Sequence, residues 1–253
     1  MLRDLVDWFG DPASWQGENG VLNRLVEHSL LTVTATVLAV VIGLPVALWL
    51  GHIGRGGALA INVSNVGRAI PTFALLLLLS LGPLGAAYLG PYGRAGLATL
   101  VALVLFALPP VITNAYVGVR EVDRDTLEAA RGMGMSGGQV LRKVEVPLAM
   151  PLILAGVRLA VVQIWATATI AALVAGPGLG RIITLGFSRQ DATQVVAGAL
   201  IVAAIALFLE LLMALLQAVL DPVGRARRAA GSVDHGRSAP DPVSAQAGAR
   251  HRA

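Results

Sequence analysis

Residues 125–151 read DTLEAARGMGMSGGQVLRKVEVPLAMP, a polar, glycine-punctuated stretch with long apolar runs on both sides. Its punctuation is that of folded structure. Asp125 has Glu128 three residues on, the spacing of a capping box, which predicts a helix over Thr126–Met133. Gly134 then stands where a helix C-terminus favours positive φ. Ser136, with Gln139 three residues on, predicts a second helix over Gly137–Val146. Proline's ring and missing N–H stop that helix at Pro147, and Pro151 starts the next apolar run. The stretch reads as two short helices joined by a glycine elbow.

The flanking runs set the class. The chain has 253 residues, of which 56% are hydrophobic and 13% charged, and its mean hydropathy is +0.74. Soluble domains carry about 25% charged residues, so an all-α polytopic membrane protein is expected. A bilayer core needs about 20 apolar residues per helix. Five transmembrane helices are predicted: Leu30–Leu50, Ala58–Leu81, Leu97–Val119, Leu152–Ala175 and Val195–Leu220. Pro109–Pro110 should kink the third or end it early. The first 28 residues are acidic and aromatic, unlike a basic signal peptide, so the first span is expected to be retained.

Cationic residues predict the topology. With the central loop, residues 120–151, facing the cytoplasm, only Arg3, Arg24, Arg94, Arg181 and Arg189 of the 19 Lys and Arg residues fall on the opposite side. That asymmetry fits the positive-inside rule, with the N-terminus outside and the C-terminus in the cytoplasm. The expected organisation is an extracytoplasmic segment over 1–28, a membrane domain over 29–220, and a disordered cytoplasmic tail over 221–253. The tail is rich in Ala, Gly, Pro and Arg and has no apolar periodicity.

Loop helices that only cover the membrane surface would fit the same pattern, with Glu128 a simple cap. Two features favour docking to a partner. Ala129 and Ala130 leave a small, close-approach face beside Glu128. Val140, Leu141 and Val144 form an apolar stripe, with Arg142 and Lys143 opposite. The string Glu128-Ala129-Ala130, three residues, Gly134, nine residues, Val144-Glu145-Val146-Pro147 resembles the EAA loop of ABC importer permeases. Val144 and Val146 replace that family's Ile and Leu. The resemblance implies a type I permease fold in which Glu128, Ala129, Ala130, Gly134, Val144 and Pro147 belong to a coupling loop seated in a cytoplasmic ATPase subunit.

A narrower resemblance is to osmoprotectant permeases for glycine betaine, carnitine and choline. It is carried by His28-Ser29-Leu30, Ile42-Gly43-Leu44-Pro45, Ile70 to Leu76, Arg131 to Met135 and Gly178-Leu179-Gly180. Arg68-Ala69 and Ala175-Gly176-Pro177-Gly178 depart from that family's pattern. The resemblance implies an extracytoplasmic substrate-binding protein and a second permease, identical or homologous, as partners in the cell membrane.

Catalysis is not expected. No Walker A sequence is present, and GPGLG at 176–180 lacks the Lys-Ser/Thr that would follow. The absence of cysteine excludes disulfides and thiolate metal sites, the four histidines form no i, i+4 pair, and no cofactor is implied. No basic, aromatic-interleaved surface suggests nucleic acid. Glu210 is the only acid clearly inside a predicted span, which is thin support for an ion-coupled carrier. Candidate pathway residues are Ser64, Asn65, Arg68, Asn114, Tyr116, Gln163, Trp165, Thr167 and Thr169, although interhelical hydrogen bonding explains such polar residues equally. Trp8, Trp15, Trp49 and Trp165 are distant in sequence and predicted depth, so no aromatic cage is expected. A permease for amino acids or another small solute is the alternative within this architecture, and a self-contained carrier or membrane anchor the alternative outside it.

Truncation after Arg228 is expected to leave membrane abundance and solute uptake unchanged, because the residues beyond it offer no apolar face. Loss of uptake at equal abundance would assign the tail a role.

Overall fold

The computed structural model describes residues 1–57, 62, 69–88 and 90–220, and every regular element among them is helical. The principal helices are α1 (Leu2–Gly10), α2 (Val21–Ile53), α3 (Thr72–Leu81), α4 (Gly96–Arg120), α5 (Arg124–Gly132), α6 (Gly137–Val174), α7 (Gly180–Arg189) and α8 (Ala192–Leu220). Short helical turns lie at Pro12–Trp15, Pro83–Ala86 and Gly90–Tyr92. Ser64, Asn65, Arg68 and the tail fall outside the described residues.

Four described helices, α2, α4, α6 and α8, are long and apolar enough to cross a bilayer. The remaining predicted span, Ala58–Leu81, is described at Asn62 and from Ala69 onward. There it forms α3, whose ten residues reach about 15 Å, half a hydrocarbon core.

Three prolines do not end a helix where the sequence allowed for it. Helix α4 runs unbroken through Pro109–Pro110. Both are buried, and α2 and α6 hold the helix from two sides. Neighbouring helices therefore keep it continuous where proline alone would end it. Pro147 does not stop the second loop helix either. That helix enters a π turn at Leu141–Glu145 and continues as the next span through Val174. The Val146 N–H bonds to the Leu141 carbonyl, so the ladder slips just before Pro147, whose missing donor falls on the slip. Pro151 accordingly lies inside α6.

Small residues build the core. Along α2, Leu31, Ala35, Ala39, Gly43, Ala47 and Gly51 recur every fourth position, and all are buried. They face Leu103, Ala107 and Val111 of α4, against which Ala160, Ile164 and Ala168 of α6 also pack. Short side chains let backbones approach closely, which is how membrane helices gain dispersion contact. Ala166, on the same helix, is exposed. Leu207, Phe208, Leu211 and Leu215 of α8 are exposed, an apolar face suited to lipid.

Gly156 marks the tightest α4–α6 crossing: a Cβ there would stand 2.7 Å from the Asn114 Cβ and 2.8 Å from the Pro110 oxygen. Gly156→Leu is expected to lower stability by about 1–3 kcal/mol through overpacking. Thermal unfolding in detergent measures this, and an unchanged midpoint would show that the crossing can widen freely.

Candidate functional site

The spacing of the loop residues becomes geometry at one end of the bundle. Helix α5 is capped by Asp123, not Asp125. Asp123 Oδ2 accepts from the Thr126 N–H and from Thr126 Oγ1, each at 3.1 Å, while Asp125 already lies in the first turn. The cap falls at Asp123 because its backbone is extended, ψ 135°, as a cap requires. Glu128 is thereby released from the capping role its spacing suggested. It is exposed beside Ala129, while Ala130 is buried. The helix closes with the Met135 N–H on the Ala130 carbonyl and the Gly134 N–H on the Arg131 carbonyl, Gly134 having φ +83°. This double closure is the glycine-dependent helix stop expected for the elbow. Gln139 Oε1 accepts the Ser136 N–H at 2.8 Å and starts α6.

The faces of the loop differ from expectation. Val140 is wholly buried and Val144 half-buried within this chain, so the apolar stripe is turned inward. Outward stand Glu128, Ala129 and Met133, the last 77% exposed. A large apolar side chain at an exposed elbow is a contact awaiting a partner, and sequence reading passed over Met133 because it sits between two glycines.

Behind the loop, His52 at the end of α2 meets the root of α6. Its Nδ1 lies 2.6 Å from Glu145 Oε2, and Glu145 is only 2% exposed. A buried carboxylate needs such a partner. A cavity of about 220 Å³ opens beside this contact, lined by His52, Arg120, Glu128, Arg131 and Glu145. Neither His52 nor Glu145 stood out in the sequence, since they are 93 residues apart.

A second histidine fastens the opposite end. His28 is fully buried, its Nδ1 3.2 Å from the Leu179 N–H and its Nε2 3.1 Å from the Trp165 carbonyl. An amide can only donate and a carbonyl only accept, so the ring is neutral with its proton on Nε2. Glu27 Oε2 accepts the Gly178 N–H at 3.1 Å. Two motifs read separately, His28-Ser29-Leu30 and Gly178-Leu179-Gly180, are thus one clamp. Gly178 has φ +104°, and a Cβ there would lie 2.8 Å from His28 Nδ1.

The predicted pathway residues scatter. Trp165 is 2% exposed, its ring tilted against the His28 ring with centroids 4.1 Å apart, and it donates Nε1–H to the Val202 carbonyl at 3.2 Å. With Trp8 and Trp15 it joins one cluster around Val21, Leu179 and Ile182, so these three tryptophans are neighbours despite their sequence separation. Trp49 is apart and exposed. Asn114 donates to the Pro110 carbonyl at 2.8 Å, and Thr169 to the Trp165 carbonyl at 3.3 Å, both local helix contacts. Thr167 is buried, whereas Tyr116 and Gln163 are half-buried. Glu210 is bound by Arg158 of α6 through Nε at 3.0 Å and through Nη2. Arg158, which the sequence places in the fourth predicted span and on the cytoplasmic side, lies in α6 and neutralises the acid. Glu210 is therefore not the free carboxylate that an ion-coupled carrier would use.

Comparison with known proteins adds three findings. The family described as binding-protein-dependent transport system inner membrane component matches residues 30–223. The chain is 33% identical over 234 residues to the choline transport system permease protein OpuBD of Bacillus subtilis, covering 92% of this chain and 97% of that protein. It is 28% identical over 204 residues to the glycine betaine/carnitine/choline transport system permease protein OpuCB of the same organism, covering 81% and 90%. Among solved structures, the inward-facing MetNI methionine ABC transporter is similar in fold, with TM-score 0.66 at 21% identity, covering 79% of this chain and 95% of that chain.

Gly178→Ala is expected to open the clamp, since alanine is strained at that φ by about 1–3 kcal/mol and its methyl crowds His28. Hydrogen exchange of the Leu179 amide is the measurement. Exchange as slow as in the unsubstituted chain would show that the clamp accommodates a side chain.

Proposed function

Because the chain belongs to the family of binding-protein-dependent transport system inner membrane components, we propose that it is the permease subunit of an ATP-driven importer for a compatible solute such as glycine betaine, carnitine or choline. The observation that carries this reading is the loop: a double-closed glycine elbow at Gly134 that presents Glu128, Ala129 and Met133 outward. The solute class is supported by the relatives named for choline and for glycine betaine/carnitine/choline transport, which this chain matches over most of its length.

Division of labour follows. A separate cytoplasmic ATPase receives the face of Glu128 and Ala129 together with the elbow, while Ala130, Val144 and Pro147 hold that face from within. An extracytoplasmic binding protein delivers the solute at the end clamped by His28, and a second permease, identical or homologous, completes the pathway. The loop end and the C-terminus face the cytoplasm and the N-terminus lies outside, as the distribution of Arg and Lys favours. Gln163, half-buried in α6, and Tyr116 are the pathway candidates least committed to local contacts. Asn114, Thr167 and Trp165 serve packing. Ser64, Asn65 and Arg68 belong to the pathway hypothesis on sequence grounds alone.

Aromatic faces are worth most to a quaternary ammonium when several converge on open space. Trp165 is enclosed, so this chain with its ATPase is expected to show no micromolar affinity for glycine betaine by calorimetry, and uptake should require the binding protein. Micromolar binding would instead place specificity in the membrane.

Glu128→Lys and Gly134→Val are expected to lower uptake by about tenfold or more at unchanged membrane abundance, a coupling loss of ordinary size. The first reverses charge on the docking face. The second puts a β-branched residue at φ +83°. Uptake of labelled glycine betaine into vesicles holding the reconstituted complex measures both, and normal uptake by both would remove the loop from the mechanism.

A further inference from the structure

We propose that the His52–Glu145 hydrogen bond is the link that carries displacement of the loop into α2, so that α2 and α6 move as one body. This rests on the permease reading above. His52 and Glu145 act as positioning residues and do not themselves touch the ATPase.

Three observations carry it. The loop has a narrow mechanical outlet: α5 packs chiefly against the first turn of α6, and the cavity beside His52 and Glu128 separates it from the end of α2. Force applied to α5 enters the membrane through the root of α6 and through Glu121–Asp123, which join α5 to α4. At that root the ladder is loosened by the π turn Leu141–Glu145, a feature that weakens axial rigidity where rigidity is needed. The His52 ring meets the end of the weak segment. Its Nδ1 meets Glu145 at the end of the π turn, and its Nε2 lies 3.3 Å from where a Cβ on Gly137, in the first turn, would stand. The bond therefore ties the end of the π turn to α2.

The far end completes the unit. His28 fastens α2 to the Trp165 carbonyl of α6. His28 and His52 are 24 residues apart on α2, about 36 Å of helix, and Glu145 and Trp165 are 20 apart on α6, about 30 Å. Helix α2 is thus joined to α6 at both ends, and a shift of the α6 root reaches α2 without relying on the weakly directional small-residue packing between them.

The test uses the full complex of permease, ATPase and binding protein in proteoliposomes, measuring glycine betaine imported per ATP hydrolysed. His52→Ala and Glu145→Ala should each lower that ratio by roughly tenfold at equal complex abundance, a typical size for one coupling element. The double variant should be no worse than the worse single variant, because both remove one contact. His52→Gln, whose amide can still donate to Glu145, should restore most of the ratio. If His52→Ala does not accumulate, Glu145→Gln reads the same link: it keeps the volume and removes the charge from the bond, and the ratio should fall by about threefold. An unchanged ratio in either measurable variant, losses that multiply in the double variant, or equal impairment by His52→Gln and His52→Ala would overturn the link while leaving the permease reading intact. A chain without substitutions that recruits no ATPase would overturn that reading and the link with it.

Discussion

Helix α2 is bound to α6 by a histidine at each end, and the arrangement of the other elements depends on that pairing. His28 has a partner from elsewhere in the chain at both ring nitrogens, and His52 has one at Nδ1. His28 lies between an amide donor and a carbonyl acceptor, and His52 faces a buried carboxylate. Buried polar groups are costly when unpaired and directional when paired. The two contacts therefore fix the axial register of α2 on α6, which packing among alanines and glycines leaves soft. Helix α4 fills the groove that this register creates, and Gly51, Gly118 and Gly156 let it approach to backbone distance.

The same economy applies to charge. In hydrocarbon an isolated carboxylate or guanidinium is expensive, and Arg158 and Glu210 resolve that cost on adjacent helices. Gln217 extends the contact, accepting from Arg158 and donating to the Pro151 carbonyl at 3.2 Å. That last bond ties α8 to the stretch of α6 where proline interrupts the ladder. A group that resembles a transport site in the sequence is thus structural in the fold, and the neighbouring helix explains the difference.

At the loop, strength and weakness alternate. The elbow at Gly134 is closed by two backbone hydrogen bonds, whereas the root of α6 carries a π turn. A well-ordered contact surface on a loosened stem can receive a partner's motion without unfolding, provided something holds the loosened segment. His52 holds the end of that segment, at Glu145, from the last turn of α2.

Much was legible in the sequence because it is encoded locally. Apolar run length set the class and the approximate positions of α2, α4, α6 and α8, and glycine chemistry set the elbow at Gly134, since φ preference is a property of one residue. The pattern of Glu128, Ala129, Ala130 and Gly134 could be read because its spacing is contiguous. Where competing local signals were weighed, tertiary contacts decided. Asp123 displaced Asp125 as the cap through backbone conformation. Pro147 and Pro109–Pro110 failed to break helices that neighbours and a π turn support. Val140 turned inward, leaving Met133 outward. The pairings of His52 with Glu145, His28 with Leu179 and Trp165, and Arg158 with Glu210 had no signature at all. Each joins residues more than 50 positions apart, and such a contact exists only once helix register is set, because hydrogen bonds act over about 3 Å while sequence patterns act over a few residues.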